Sequence, residues 1–250
     1  MPAPKCRVRQ HTKITCESAD LGSNVVNLLS GSRMLSLLKV ATSSPYFSIT
    51  FDDGPDPRLT PYLLDVLDAH GARATFFVVG EKVLWSSAIA REIVARGHEL
   101  GNHTYHHRYL MKCSSSEVQR QINLTQEMIF DTTGARPRLY RAPHGRITEQ
   151  HMMEVEHHQG LQHCYWSFDT KDWRDQDSEL IACRLEDGAK PGEIVLAHDT
   201  FPTTVSAVAA ALPHICSRSL QCVPVSELLE QGVPLSQHAV TTAPAPLAYA

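Results

Sequence analysis

The sequence predicts a single α/β domain built on parallel strands, and three observations carry that expectation. Apolar, β-prone runs alternate along the chain with stretches of helical periodicity. The runs are rich in β-branched and aromatic residues, as in strands covered on both faces. The chain has 250 residues and is 42% hydrophobic, enough for one core without a second domain. Alternating strands and helices imply parallel pairing with right-handed crossovers. The strand–helix units can close as a (β/α) barrel or lie as an open sheet. The barrel is preferred, but periodicity alone leaves both standing.

The elements follow in order. YFSITF (46–51) reads as the first strand, and Thr60–His70 as its helix, with Leu63, Leu64, Val66 and Leu67 on one face. ATFFVVG (74–80) precedes a helix over Ser86–Arg96 carrying Ile89, Ile93 and Val94. HELGN (98–102) precedes Ser116–Phe130 with Val118, Ile122 and Ile129. RLYRAP (138–143), HCYWSF (163–168) and EIVLAH (193–198) lead to helices near 148–158, 177–187 and 204–215, and QCVPVS (221–226) closes the series. Capping chemistry agrees: Ser114–Ser116 precede Glu117, Thr148 opens a polar turn, and Gly71, Gly97, Gly134, Gly160 and Gly188 fall just past expected helix ends. Residues 1–44 show no clear period and read as a partly irregular extension. Residues 231–250 end Ala/Pro-rich and read as a flexible tail.

The formal net charge of −4 offers no basic field for a nucleic acid. Seven Cys form an odd set without tight spacing, which points to free thiols. Cys164 and Cys183 lie in apolar runs and read as small core residues. No apolar segment follows the basic N-terminal residues, so a cytoplasmic location without a secretory signal is expected, secretion by another route staying open. Val25–Val40 is interrupted by Asn27, Ser30, Gly31, Ser32 and Arg33 and cannot span a bilayer.

In parallel α/β folds, active sites form at the C-terminal ends of strands. Five clusters of reactive residues fall there. The first strand ends in Asp52-Asp53-Gly54-Pro55-Asp56. Adjacent carboxylates on extended chain face opposite ways, so one can bind a cation while the other faces water, although Asp, Gly and Pro also make ordinary turns. The third strand runs into Asn102-His103-Thr104-Tyr105-His106-His107. His103 and His107, at i and i+4 on a helical turn, would reach one metal. With fourteen His in the chain, about one such pair arises by chance, and His103 with His106 is nearly as good. An Asp-His-His set leaves coordination open, as in catalytic sites. Arg141, with Pro143 and His144 after it, leaves an apolar strand and calls for an anionic partner. Asp169 and Asp172 stand beside Trp173, which can line a sugar site or simply pack. Leu196 and His198 end the sixth strand, where a lone His is more often a satisfied rim residue.

TFDDGPDP, GNHTYHH, RAPHG, DTKDW and VLAHD, in that order, resemble the motifs of the polysaccharide deacetylase (NodB-homology) family, carbohydrate esterase family four. The resemblance spans about residues 45–230 and implies a distorted (β/α) barrel of about seven strands. It looks closest to chitooligosaccharide deacetylases. It further implies a divalent ion, usually zinc (cobalt or others also serving), on Asp53, His103 and His107. Asp52 would then be the general base, oriented by Arg141, and His198 the general acid, held by Asp172. Trp173 and Leu196 would shape the acetyl pocket. His144 stands where the family usually has Tyr, leaving its backbone N–H as the oxyanion donor. The implied partner is an N-acetylated oligo- or polysaccharide; peptidoglycan, chitin, and a carbohydrate-binding protein with a dead site are the rivals. Asn102-His103-Thr104 and Asn123-Leu124-Thr125 read as glycosylation sequons.

Overall fold

The run Tyr46–Asp52 forms the central strand, and the chain winds around it. The computed structural model describes residues 26–27 and 36–237. In order they form β1 (Val26–Asn27), β2 (Ser36–Ala41), β3 (Tyr46–Asp52), α1 (Thr60–Ala69), β4 (Thr75–Val78), α2 (Gly80–Trp85), α3 (Ser87–Ala95), β5 (Glu99–Asn102), α4 (Ser115–Thr133), β6 (Leu139–Tyr140), α5 (Glu149–Gln159), β7 (Gln162–His163), β8 (Phe168–Asp169), α6 (Ser178–Gly188), β9 (Ile194–His198), α7 (Pro202–Ser217), β10 (Gln221–Cys222), α8 (Val225–Leu229) and β11 (Val233–Gln237). Expectations for residues 1–25, 28–35 and 238–250, with Cys6 and Cys16, lie outside the described residues.

The main sheet runs β7-β6-β5-β4-β3-β9-β8, with every neighbouring pair parallel. One edge of β3 pairs Ser48–Asp52 with Ile194–His198. The other pairs Thr50–Asp52 with Thr75–Phe77, and β10 pairs with Tyr46 and Phe47 at the start of β3. The sheet curls into a half-barrel whose two end strands, β7 and β8, are consecutive in the chain. This is where the fold departs most from the expected elements. HCYWSF is one apolar run, but it has to bridge the open side of the barrel. Cys164 N–H donates to Tyr140 O, Tyr165 N–H to Leu37 O and Ser167 N–H to Ile194 O, so the run changes partners within four residues and splits into two short strands.

Other differences are smaller. ATFFVVG stops at Val78 and turns into the unanticipated α2, and Pro224 ends β10 so that Val225 starts α8. Gly134 and Gly160 cap helices in left-handed conformations as anticipated, whereas Gly188 is the last residue of α6 and Ala189 caps it. An antiparallel sheet, β1-β11-β2, carries the fold beyond residues 45–230 on both sides.

Alternate strand residues face opposite sides. Phe76 and Val195 join Phe51, Leu63, Leu64 and Ile93 in the core beneath the helices, while Phe77 and Ile194 join Leu37, Val40 and Leu139 in a second cluster. Each such burial contributes roughly 1.5–3 kcal/mol. Cys164 is buried in that second cluster, but Cys183 is exposed. The inward stripe of α6 is Ile181, Ala182 and Leu185, which turns Cys183 outward. Among the described residues no helix is long and apolar enough to cross a membrane.

Candidate active site

The C-terminal ends of β3, β5, β6, β8 and β9 surround one cleft. Asp52 is the last residue of β3, and Asp53 turns the chain with φ of 73°. The Lys82 ammonium donates to Asp53 O at 2.7 Å, which secures that turn. At Gly54 a Cβ would fall 2.1 Å from Asp199 Oδ2, so only glycine fits. Asp199 is buried, accepts the Thr60 hydroxyl at 2.5 Å, and is pushed up to about 7, chiefly by burial.

After β5, Thr104 and His107 have φ of 65° and 51°. The segment from His103 to His107 is therefore a loop with left-handed residues, not the helical turn that the spacing suggested. The expected pair is nonetheless brought together, with ring centroids 5.0 Å apart. His103 Nδ1 lies 2.8 Å from Arg141 O; a carbonyl only accepts, so Nδ1 carries a proton and Nε2 is the ring nitrogen turned toward Asp53. His103 Nε2 and His107 Nε2 approach Asp53 Oδ1 at 3.3 and 3.0 Å. Yet that buried oxygen has no hydrogen bond. The three ligand atoms lie within 4.8 Å of one another. This donor set suits a divalent ion with nitrogen and oxygen ligands. Burial would raise the Asp53 carboxyl, but His103 and His107 outweigh it and hold it well below the usual range. His106 points elsewhere, its Nδ1 3.1 Å from Glu81. Asn102 is fully buried and bonded to Ile122 O and Gln126, so its sequon cannot carry a glycan.

Arg141, after β6, is 0% exposed. Its Nη1 donates to Asp52 Oδ1 and Thr50 Oγ1, both at 2.7 Å, its Nε to Cys164 O, and its Nη2 to Tyr165 O at 2.8 Å. The anionic partner that the strand context called for is Asp52. His144 has φ of 58°, and its ring stands edge-on to His107 at 4.8 Å. Burial first, then neighbouring His107 against the pull of Asp53, lowers His144 to about 4.

Across the cleft, the His198 Nδ1–H donates to Asp172 Oδ1 at 2.8 Å. Asp172 is fully buried and also accepts His198 N–H at 2.7 Å and the Thr204 hydroxyl at 2.8 Å. Burial opposes a charge on His198, but the Asp172 hydrogen bond and charge, with Asp53 and Asp52 behind them, raise it to about 9. His198 is therefore a protonated donor at neutral pH.

Asp52, Asp53, His103, His107, His144, Trp173, Leu196 and His198 all line this cleft of about 100 Å³, while Arg141 and Asp172 stand behind Asp52 and His198. Sequence reasoning missed Trp166 and Lys82. Trp166 lines the cleft and packs against Gly145, where a Cβ would lie 2.6 Å from its ring. It sits inside the apolar run that splits, so no pattern marked it. Lys82 lies on the unanticipated α2.

Comparison with known proteins agrees with this arrangement. Residues 39–163 match the polysaccharide deacetylase family. Peptidoglycan-N-acetylglucosamine deacetylase PgdA of Listeria monocytogenes is 34% identical over 86% of this chain, which spans 46% of that protein's length. A chitooligosaccharide deacetylase of Bradyrhizobium is 35% identical over 72% of this chain and 89% of its own. The structure of peptidoglycan deacetylase PdaC from Bacillus subtilis superimposes with a TM-score of 0.71 at 33% identity, covering 75% of this chain and 92% of that one. Parallel half-barrel, strand-end cleft and shared sequence lead to one assignment: the chain belongs to the polysaccharide deacetylase family.

Proposed function

We propose that this chain is a divalent-metal-dependent N-deacetylase acting on N-acetylglucosamine residues of a glycan. The observation that supports it most is the pairing of opposite chemistries across one cleft. A carboxylate ion-paired to a buried Arg faces a histidine held protonated by a second carboxylate. Two groups of opposed proton demand are what amide hydrolysis needs. The Listeria relative is named for N-acetylglucosamine in peptidoglycan and the Bradyrhizobium relative for chitooligosaccharides, which are built of that sugar.

Asp53, His103 and His107 would hold the ion, zinc first among candidates for an Asp-His-His set. When bound, it supplies Lewis-acid polarisation of the acetyl carbonyl and acidifies water. Asp52 accepts the proton of the attacking water as its oxygen bonds to the acetyl carbon. Arg141 holds Asp52 in place through the Nη1 hydrogen bond to Oδ1. The backbone N–H at His144, on the cleft wall, would serve as a donor to the developing oxyanion. His198 delivers its proton to the departing nitrogen as the C–N bond breaks, and Asp172 stabilises the charged ring until then. Acetate and a free amino sugar result. Trp173 and Leu196 bound the acetyl methyl.

Acetate release should be measured on chitooligosaccharides, peptidoglycan and acetylxylan, before and after chelation and after metal is restored. Release from one of the N-acetylglucosamine substrates, abolished by chelator and restored by metal, is expected. Release from acetylxylan alone, or from none of the three, would overturn the proposal.

A further inference from the structure

A second cavity, of about 210 Å³, opens at the opposite end of the strands. Its walls include His98 and Glu99 at the start of β5, Arg136 and Arg138 just before β6, and Ser226. The catalytic residues follow the other ends of these strands, so the four residues of β5, rising roughly 3.3 Å each, separate the two places.

The hydrogen-bond inventory of this cavity has donors without acceptors. His98 is 5% exposed. Ala74 N–H donates to its Nδ1 at 3.1 Å, so the neutral ring carries its proton on Nε2. Burial above all, opposed by Asp68 and helped by Arg96 and Arg73, lowers His98 to about 4, so the ring is neutral at pH 7. The buried Nε2–H has no acceptor, a state that costs about 1–3 kcal/mol if nothing fills it. Glu99, the carboxylate in the wall, is already satisfied by the Thr75 hydroxyl at 2.7 Å, Ser226 N–H at 3.2 Å and the Ser226 hydroxyl. The Arg136 guanidinium lies 3.6 Å over the Phe130 ring. Neither it nor the Arg138 guanidinium has a carboxylate within 4.0 Å among the described residues.

We propose that this cavity is a binding site for a small oxyanion, a phosphate or a carboxylate, with Arg136 and Arg138 supplying charge and His98 Nε2–H the buried hydrogen bond. Two guanidinium forks and one neutral donor match the acceptor-only surface of such a group.

The test follows the side-chain resonance of His98 in the ¹⁵N-labelled full chain. Inorganic phosphate and, separately, formate are titrated at constant ionic strength. A saturable shift of the Nε2–H signal with either anion supports the site; the anion that binds tighter identifies a phosphoryl or a carboxylate ligand. R136Q and R138Q, both on exposed side chains, should each weaken that titration by about tenfold, the loss of one charge-assisted hydrogen bond. Anion bound at Asp53, His103 and His107 would move the resonances of those histidines and leave His98 unmoved. A His98 signal that neither anion shifts, or that shifts equally in the R136Q/R138Q double variant, overturns the proposal and leaves the donor to an ordered water.

Discussion

Arg141 places its guanidinium donors on Asp52, Thr50 and two backbone carbonyls, and its planar group lies 4.1 Å over Phe77. Removing it leaves the Asp52 carboxylate buried without a cation. Arg141→Met should therefore cost about 3–5 kcal/mol in thermal unfolding as well as activity. Asp52→Asn keeps an acceptor for Arg141 but removes the proposed base, and kcat should fall about 10²–10⁴-fold with KM much less affected. His198 gives the pH dependence. In the proposed mechanism its proton is the one donated, and its pKa is raised to about 9, so activity should hold through neutral pH and decline above about 9. Asp172→Asn removes the main support of that charge and should shift this alkaline limb downward; a limb that stays in place would show that His198 is not the acid. At this scale the candidate site was legible not from any one residue but from five clusters in order at strand ends and their resemblance to a known family. Carboxylates, imidazoles and Arg141 at strand ends are chemically conspicuous, and the structure places all ten expected side chains in the cleft or directly behind it. What residue type could not reveal was conformation. His103 and His107 meet through left-handed backbone at Thr104 and His107, which no i, i+4 rule encodes.

Elements with strong local signals were the readable ones. Ser114 and Thr148 accept backbone N–H groups at the starts of α4 and α5, as hydroxyl caps should. Thr148→Ala should lower stability by about 1 kcal/mol by thermal melting while leaving KM unchanged, because α5 contributes no side chain to the cleft. Gly101 tests the element that aims His103. A Cβ there would lie 2.4 Å from the Phe77 ring, so Gly101→Ala should cost about 1–3 kcal/mol and reduce metal affinity together, by pushing the end of β5 away from β4. Metal affinity unchanged in a destabilised Gly101→Ala protein would mean that β5 does not set the ligand geometry. The split of HCYWSF was not readable, because its apolar pattern is that of one strand and only the long-range partners Tyr140, Leu37 and Ile194 divide it.

For the whole molecule, the alternation of runs was enough to give a parallel sheet, and the motif order to prefer a barrel. The open side of that barrel was hidden. There β2 approaches so closely that a Cβ on Gly192 would sit 1.8 Å from Val40 O, and β11, in a stretch read as tail, pairs with β2 along its length. Pairings between segments nearly two hundred residues apart leave no local trace. This fold supports one proposed reaction: proton transfer by Asp52 and His198 beside an ion held by Asp53, His103 and His107. Its most direct test is acetate release from N-acetylglucosamine pentamer and from peptidoglycan by metal-loaded wild-type and Asp52→Asn proteins, with bound metal quantified in each. About one divalent ion in both proteins, with acetate released by the wild type and turnover lost in the variant, is the predicted result. Equal acetate release by both proteins, or a wild type that holds the ion and deacetylates neither glycan, would contradict it.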